Sequence, residues 1–186
     1  MRLGQPPDVF IDRDGVVIRS RPDYVRSWQD VEVLPGALDA IARLCRAGHR
    51  VMIVTNQSAL ARGLISEEQL DAIHLRLQRL IEAAGGRITR FFVCPHHPRA
   101  GCPCRKPRPG LLYQASHQEG SILASSYVIG DQLCDLEAAW AVGSRPILVL
   151  CGETSAPPAL ARLDYGQAPD LAAAADLVLE SPVRAV

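Results

Sequence analysis

The chain has 186 residues, which is enough for one domain with a substantial hydrophobic core. Apolar residues make up 48% of the sequence and charged residues 22%, a composition typical of a globular protein and unlike that of a disordered or fibrous one. Basic and acidic residues number 20 each, and the zero net charge argues against broad attraction to nucleic acid or to an anionic membrane.

The amino-terminal residues and the cysteines bear on the cellular compartment. Few apolar residues precede Asp12, and no stretch approaches the ~18 continuous apolar residues of a membrane span. We therefore expect a cytoplasmic protein without a membrane partner. The six cysteines are then expected to be reduced, and the three between positions 94 and 104 favour metal binding over a disulfide framework.

Apolar strands and amphipathic helices are predicted to alternate along the chain. Strands are predicted at residues 7–12, 51–56, 88–94, 127–130, 147–150 and 177–179. Helices are predicted to begin at Pro35-Gly36 and after Ser66, which forms a capping box with Gln69, and to span residues 110–119 and 136–142. The residues expected to share one face of the helix after Ser66 are Leu70, Ile73, Leu77, Leu80 and Ile81.

This alternation predicts the fold class. Apolar strands separated by helices indicate a parallel sheet that is covered on both faces. We therefore expect an α/β fold with a Rossmann-like sheet, in a single domain over residues 1–186. The segment between Gly15 and Pro35 has room only for a hairpin, so the cap over any site at the sheet edge should be minimal.

Polar side chains follow three of the predicted strands at the point where each strand ends. Asp12 and Asp14 follow the first strand, the run 55–58 ends the second, and Asp131 follows the fourth. In a parallel sheet the carboxyl ends of the strands lie at one edge, where ligands bind. Asp12 and Asp14 alternate along extended backbone and can face the same way. Two interpretations stay open: a pair of surface acids, or a nucleophile beside a general acid.

A cluster of soft ligands lies between the third strand and the next helix. Its members are Cys94, His96, Cys102 and Cys104. One imidazole and three thiolates on a short loop suit tetrahedral zinc, and a full set of four protein ligands indicates a structural site. The alternative is a coincidental grouping of cysteines near a histidine. His97 is the neighbouring histidine that spacing alone does not separate from His96.

The ordered set of motifs resembles the haloacid dehalogenase superfamily of phosphatases. It comprises Asp12–Val16, Thr55–Ser58, Lys106 and Gly130-Asp131. Within this superfamily the chain is most similar to the heptose bisphosphate phosphatases and the histidinol-phosphate phosphatases. The stretches that carry this closer resemblance are 24–25, 61–63, 94–98, 104–107 and 130–139.

The resemblance implies a role for each site residue. Asp12 would be the nucleophile that forms an aspartyl-phosphate, and Asp14 the general acid and base. Magnesium would be held by Asp12, the Asp14 carbonyl and Asp131, with Asp135 orienting Lys106 or a metal-bound water. The residues implied to bind phosphate and substrate are Thr55, Asn56, Gln57, Ser58, Arg105 and Lys106. Because the small cap leaves the site open, we also expect Ser20 and Asp23, on the loop after the first strand, to bind substrate. Lys106 would neutralise the transferred phosphoryl group, and Arg105 would grip a second phosphate or hydroxyl groups.

The substrate stays open between two candidates. Five residues separate His96 from Cys102, as in the histidinol-phosphate phosphatases, whereas the run 107–110 is closer to the heptose enzymes. A heptose bisphosphate is preferred, histidinol phosphate is the alternative, and a non-catalytic zinc-stabilised binding protein is the third possibility. We expect a small-molecule sugar phosphate as partner, no nucleic acid, and a monomer.

Overall fold

The computed structural model describes residues 5–150 and 164–181. These residues form six strands, β1 (Val9–Ile11), β2 (Val51–Asn56), β3 (Ile88–Cys94), β4 (Tyr127–Gly130), β5 (Arg145–Val149) and β6 (Gly166–Ala168). The helices are α1 (Ala37–Arg46), α2 (Ser58–Ala61), α3 (Glu67–Ala83), α4 (Gly110–Glu119), α5 (Leu133–Ala141) and α6 (Leu171–Glu180). All strand pairs are parallel, in the order β3-β2-β1-β4-β5-β6, which confirms the predicted α/β fold.

The hydrophobic core is divided by the sheet into two layers. Val9 and Ile11 of β1 point into a cluster that also contains most of the buried residues of α1 and α3 and those of α6. Phe10 points to the opposite face, where it joins the buried residues of α4 and the alanines Ala138 and Ala139 of α5. This alternation follows from the two-residue period of a strand. Helices therefore cover both faces, and the edge at the carboxyl ends of the strands stays open for a site.

Helix α3 begins at the predicted capping box and buries one stripe of its surface. The Ser66 hydroxyl accepts a bond from the Gln69 amide at 3.2 Å, and the Gln69 side chain accepts one from the Ser66 amide at 2.8 Å. The buried residues of α3 are Leu70, Ile73, His74, Leu77 and Ile81. The placement of Leu80 in this stripe was wrong, since it is 38% exposed. The sequence pattern predicts only apolar residues in this stripe, so the buried His74 is an unexpected member of it.

The predicted strand at 177–179 was wrong, because these residues belong to α6. Asp170 caps this helix by accepting a hydrogen bond from the Ala173 amide at 2.8 Å. The buried residues Leu171, Ala174, Ala175 and Val178 follow the helical spacing of three and four. The sixth strand is instead the short run Gly166–Ala168, which pairs with β5.

The remaining element boundaries lie close to their predicted positions. The strands at 51–56, 88–94 and 127–130 and the helix at 110–119 have the predicted bounds. The first strand is shorter than predicted, the fifth begins two residues earlier, and α5 begins three residues earlier. The short helix α2 was not predicted.

The segment between β1 and α1 forms a narrow hairpin-like arm. The Arg19 amide donates to the Glu32 carbonyl at 2.8 Å, and the Leu34 amide donates to the Val17 carbonyl at 3.0 Å. This arm is the small cap expected from the length of the segment. Among the described residues, no helix has both the length and the apolar character needed to cross a membrane.

Candidate active site

The carboxyl ends of β1, β2 and β4 surround a cavity of about 420 Å³. The predicted site residues that line it are Asp12, Asp14, Ser20, Thr55, Asn56, Gln57, Ser58, Arg105 and Lys106. Three loops that are distant in sequence therefore meet at the topological switch point, where β1 lies between β2 and β4. The floor of this cavity is charged and buried, which is unusual for a surface that has no function.

Asp12 and Lys106 form the charged centre of the site. Lys106 Nζ lies 3.0 Å from Asp12 Oδ1 and 2.5 Å from Asp135 Oδ1, and it donates to the Val54 carbonyl at 2.8 Å. Burial alone would lower the pKa of Lys106, but the two carboxylates outweigh it and hold that pKa above its usual range. The lysine is therefore a fixed positive charge beside the Asp12 carboxyl group.

The pKa of Asp12 lies well above that of a solvent-exposed aspartate. Burial is the largest cause and, together with the nearby acids Asp135, Asp14 and Asp131, raises the pKa to about 8, against the lowering effect of Lys106. A carboxylate in such surroundings is weakly solvated and gains from any cation that enters the site.

Asp131 supplies a second carboxylate next to Asp12. Burial and the charge of Asp135 raise its pKa to about 7, and Lys106 opposes them. Its Oδ1 atom is buried and has no hydrogen-bond partner among the described residues. Ligand oxygens of Asp12, Asp131 and Asp135 lie within 4.8 Å of one another, so hard oxygen ligands for Mg²⁺ are already gathered here.

Gly15 makes room for the Asp131 carboxylate. Its φ of +83° lies in the left-handed region, and a Cβ built on it would stand 2.1 Å from Asp131 Oδ2. The turn after the first carboxylates therefore needs glycine for two independent reasons, conformation and space. The side chain of Asp14 lies outside the cluster formed by the carboxylates of Asp12, Asp131 and Asp135. The predicted magnesium ligand at Asp14 is its backbone carbonyl, not its side chain.

The two carboxylate oxygens of Asp135 contact different residues. Oδ2 accepts from the Gln132 amide at 3.1 Å at the start of α5, and Oδ1 faces Lys106. The Asp135 carboxyl thus contacts both the start of α5 and Lys106, the residue that the resemblance implies it orients. The Asp135 side chain packs directly against the backbone of Gly130, since a Cβ built on Gly130 would lie 2.2 Å from that side chain.

Asp14 is held by donors from two sides. Arg13 donates through Nε to Oδ2 at 3.2 Å and through Nη2 to Oδ1 at 3.0 Å. On the other side, Gln57 Nε2 donates to Oδ2 at 2.7 Å, with the Thr55 hydroxyl 3.4 Å from the same oxygen. Because both oxygens are bound, the carboxyl has a fixed orientation at the rim of the cavity.

Asn56 connects strand β2 to the backbone of Lys106. Its Nδ2 donates to the Lys106 carbonyl at 3.2 Å, and its Oδ1 accepts from the Lys106 amide at 3.1 Å. This pair of bonds fixes the position of the lysine independently of its side-chain contacts. Ser58, also predicted to bind substrate, is buried at the start of α2 on the cavity wall.

Arg105 and the arm residues line the outer part of the cavity. Arg105 Nη1 is buried and has no hydrogen-bond partner in the part of the chain that the structure describes. Ser20 is exposed on the wall, beside Arg21 and Tyr24. Asp23 instead pairs with Arg21 Nε at 3.3 Å and does not line this cavity. Tyr24 has a φ of 67°, which is uncommon for a bulky residue and was not anticipated.

The soft-ligand cluster has the spacing of a tetrahedral metal site. The distances between neighbouring ligand atoms of Cys94, His96, Cys102 and Cys104 run from 3.2 to 3.6 Å. Bonds of about 2.3 Å from zinc to sulfur place tetrahedral ligands roughly 3.8 Å apart, whereas a disulfide needs about 2.05 Å. The arrangement is thus close to that of zinc ligands and excludes a disulfide between these cysteines.

The chemistry of the cluster is compatible with a bound cation. Burial and the neighbouring thiols of Cys94 and Cys102 raise the pKa of Cys104 to about 12. Three thiolates at this spacing repel one another unless a metal lies between them. His96 directs Nδ1 into the cluster, whereas His97 Nδ1 accepts from the Arg99 amide at 3.2 Å and caps a short helical turn. The structure therefore separates the two histidines.

Arg13 and His74 are buried polar residues near the site, and no sequence motif predicts a role for either. Arg13 lies between the two carboxylates of the motif but turns inward, and it is 1% exposed. His74 lies on α3, and its place in the apolar stripe was the only available indication that it is buried. No spacing rule connects it to residue 13, which is 61 positions away.

Comparisons with known proteins identify relatives along most of the chain. A family model described as HAD-hydrolase-like matches residues 103–178. The D-glycero-beta-D-manno-heptose-1,7-bisphosphate 7-phosphatase of Bordetella bronchiseptica is 41% identical over 174 residues, covering 92% of this chain and 97% of that protein. The D-glycero-alpha-D-manno-heptose-1,7-bisphosphate 7-phosphatase of Mycobacterium tuberculosis is 43% identical over 141 residues, covering 74% of each.

A solved structure has the same fold. The crystal structure of D,D-heptose 1,7-bisphosphate phosphatase from B. bronchiseptica, complexed with magnesium and phosphate, superposes with a TM-score of 0.84. Its sequence is 38% identical, and the match covers 93% of this chain and 98% of that one.

Proposed function

Since the chain belongs to the HAD-like hydrolases, in the family of the heptose bisphosphate 7-phosphatases, we propose that it removes the 7-phosphate of D-glycero-D-manno-heptose 1,7-bisphosphate. The observation that carries the proposal is the buried Asp12 carboxylate, paired with Lys106 and next to an unpartnered Asp131 oxygen. This grouping offers a nucleophile, a fixed cation and a free metal-ligand oxygen close together at one edge of the sheet.

The first chemical step takes place at Asp12. A carboxylate oxygen of Asp12 attacks the phosphorus atom, the bond from phosphorus to the sugar oxygen breaks, and Asp14 gives its proton to that oxygen. The product at this stage is an aspartyl-phosphate and the free sugar hydroxyl. Lys106 holds a positive charge next to the phosphoryl oxygens, where negative charge is concentrated.

The second step returns the enzyme to its starting state. A water attacks the phosphorus of the aspartyl-phosphate while Asp14, now a carboxylate, accepts its proton. Inorganic phosphate leaves and the Asp12 carboxylate is regenerated. One residue thus serves as acid and then base, which needs its carboxyl fixed near the same point in both steps.

Magnesium fits the carboxylate cluster. Asp12, Asp131 and the Asp14 carbonyl would hold it, as hard oxygen ligands, and the unpartnered Asp131 oxygen supports this assignment. When bound, the ion neutralises charge on the attacking carboxylate and the phosphate, which would otherwise repel each other. Zinc fits the four soft ligands and would have a structural role, because no position is left open.

Arg105 supports a substrate that carries a second charged group. Its buried Nη1 lacks a partner among the described residues, and a buried guanidinium nitrogen is stabilised by an anionic acceptor. The unreacted phosphate of a sugar bisphosphate is such an acceptor. Thr55, Gln57 and Ser58 would contact the transferred phosphate, and Ser20, which lines the outer wall of the cavity, is proposed for the sugar side.

Phosphate release from a panel of substrates tests the function. The panel contains the alpha and beta anomers of D-glycero-D-manno-heptose 1,7-bisphosphate, histidinol phosphate and an aryl phosphate. We expect the highest kcat/KM for one heptose anomer, with release of the 7-phosphate alone. A higher kcat/KM for histidinol phosphate would contradict the proposed substrate, and no release from any compound would favour a non-catalytic binding protein.

The assembly and compartment are part of the same proposal. We propose a single-domain cytoplasmic monomer that acts on a small sugar phosphate. Gel filtration at micromolar concentration should give the elution volume of a 20.2 kDa globular protein. Elution as a dimer would contradict the monomer.

A further inference from the structure

We propose that His74 is a positioning residue for the acid/base group Asp14, and that it acts through the buried side chain of Arg13. This inference rests on the proposed phosphatase function and adds a residue of α3 to it. His74 does not line the cavity, and its contact with the site is indirect.

A chain of hydrogen bonds links Asp14 through Arg13 to the buried His74. Arg13 uses Nε and Nη2 to bind the two oxygens of Asp14, and its Nη1 lies 3.1 Å from His74 Nε2. Arginine has no acceptor atoms, so Nη1 donates and His74 Nε2 accepts. The histidine therefore holds the far edge of the guanidinium while the aspartate holds the near edge.

The burial of Arg13 limits the hydrogen-bond partners that its guanidinium group can have. Arg13 is 1% exposed, so each of its donors needs a protein acceptor in place of water. Among the described residues, His74 supplies the acceptor for Nη1. Burial, followed by the charge of Arg13, lowers the pKa of His74 to about 3, so the ring stays neutral and retains its acceptor near pH 7.

The orientation of the imidazole is fixed from the core side. His74 stacks on Phe91 of β3, with ring centroids 4.3 Å apart and planes inclined by 14°. Arg13 can then adopt one direction only, because its planar fork must meet the imidazole nitrogen and both oxygens of Asp14 together. The carboxyl of Asp14 is thereby held from one side by α3 and β3, and from the other by Gln57.

Two substitutions of His74 test the proposal. His74→Phe keeps the ring and its stacking on Phe91 but removes the acceptor, whereas His74→Gln supplies an amide oxygen at a similar reach. The readout is the ratio of kcat for an alkyl phosphate to kcat for p-nitrophenyl phosphate. An alkoxide needs a proton from Asp14 in order to leave, and nitrophenolate does not.

We expect a change in this ratio that a general loss of stability does not produce. His74→Phe should lower the ratio about tenfold or more, in the same direction as Asp14→Asn, and His74→Gln should restore most of it. The matched control is Ile81→Ala, a buried position two turns further along the same helix face, which should lower Tm and leave the ratio unchanged.

Several outcomes would overturn the proposal. They are an unchanged ratio in a folded His74→Phe protein, a ratio change of equal size in Ile81→Ala, and no rescue by glutamine. If the phenylalanine variant does not fold, nitrogen-15 NMR of the wild-type protein decides the contact: we expect unprotonated Nε2 from pH 6 to 8, and a protonated Nε2 would overturn it.

The failure of this inference is distinguishable from failure of the proposed function. A wild-type protein that hydrolyses simple alkyl and aryl phosphates but no heptose bisphosphate would contradict only the substrate, and the ratio would still test His74. A wild-type protein that is inactive towards every phosphate ester would overturn both.

Discussion

Asp12 is more costly to ionise in the folded protein than in the unfolded chain, since its pKa rises to about 8, mainly through burial. Replacing it with asparagine keeps the shape and removes this buried charge. We expect Asp12→Asn to lower phosphate release on the order of 10³-fold or more, with a Tm at or above that of the wild type. Calorimetry and phosphate assays on the same preparation measure both, and residual activity near the wild-type rate would exclude Asp12 as the nucleophile.

Arg105 differs from Lys106 in that one of its buried nitrogens has no partner among the described residues. Arg105→Ala should therefore remove a contact to a remote substrate group and leave the reacting centre intact. We expect kcat/KM to fall about 10-fold or more for a sugar bisphosphate, and at most about threefold for an aryl phosphate. Arg108→Ala is the matched control, as its Nη1 donates to the Cys102 carbonyl, 2.8 Å away. Equal losses with both substrates would assign Arg105 a structural role instead.

At the scale of the element, the loop that follows β3 joins the soft-ligand cluster to Lys106. Cys104 lies two positions before Lys106, whose backbone is held by Asn56. Loss of the metal would free this loop, and a displacement of the catalytic cation by about 1 Å can cost on the order of 10²-fold in rate. We expect Cys104→Ser to lose zinc and activity, and added Mg²⁺ not to restore the activity.

Metal analysis of protein purified without chelators checks this prediction, with about one zinc per chain expected in the wild type. Cys45→Ser is the matched control, because Cys45 lies outside the cluster and bonds to the backbone of Arg87 at 3.3 Å, as a hydroxyl also could. Full activity in a zinc-free preparation would contradict the coupling between the loop and Lys106.

Elements with strong periodicity or cap residues were predictable, and those defined by packing were not. Strand β2 is a continuous apolar run and has its predicted bounds. Strand β6 has the sequence Gly-Gln-Ala, which carries no strand preference, and it forms because β5 offers a free edge. For the apolar residues 177–179, the Asp170 cap and the preceding alanines decide for a helix.

The same distinction holds within the site. Motif residues at strand ends converge as expected, because the topology of a parallel sheet brings those ends together. The contact between Arg13 and His74 depends on the side-chain packing of α3 against β3, which no local spacing encodes. Likewise, the pairing of Asp23 with Arg21 is a matter of loop conformation and could not be read from the motif.

For the whole molecule, the buried acids couple stability to pH and to magnesium. The pKa values of about 8 for Asp12 and about 7 for Asp131 compare with 3.8 for an unperturbed aspartate. Between pH 3.8 and these raised pKa values, the folded metal-free protein retains protons that the unfolded chain has lost. The stability of the metal-free protein should therefore fall as pH rises through this range. His74 acts in the opposite sense below pH 6.5, since its folded pKa is lowered to about 3.

The window from pH 6.5 to 8 therefore isolates the carboxylates. We expect the Tm of the protein without magnesium to decrease across this window, and the increase in Tm caused by Mg²⁺ to be larger at pH 8 than at pH 6.5, because magnesium binds the ionised carboxylates. Thermal unfolding at constant ionic strength measures both, and Asp131→Asn should reduce the pH dependence. An equal effect of Mg²⁺ at both pH values would contradict the assignment of the ligands.

The close contact between Gly15 and Asp131 limits how this enzyme can be evolved in the laboratory. Any side chain at position 15 would collide with the Asp131 carboxylate and would also require an unfavourable backbone conformation. A saturation library at this position should therefore return only glycine under selection for activity. Directed evolution towards new phosphate esters has to leave this contact unchanged and vary the rim of the cavity, where Ser20, Arg21 and Tyr24 surround the entrance on a short arm.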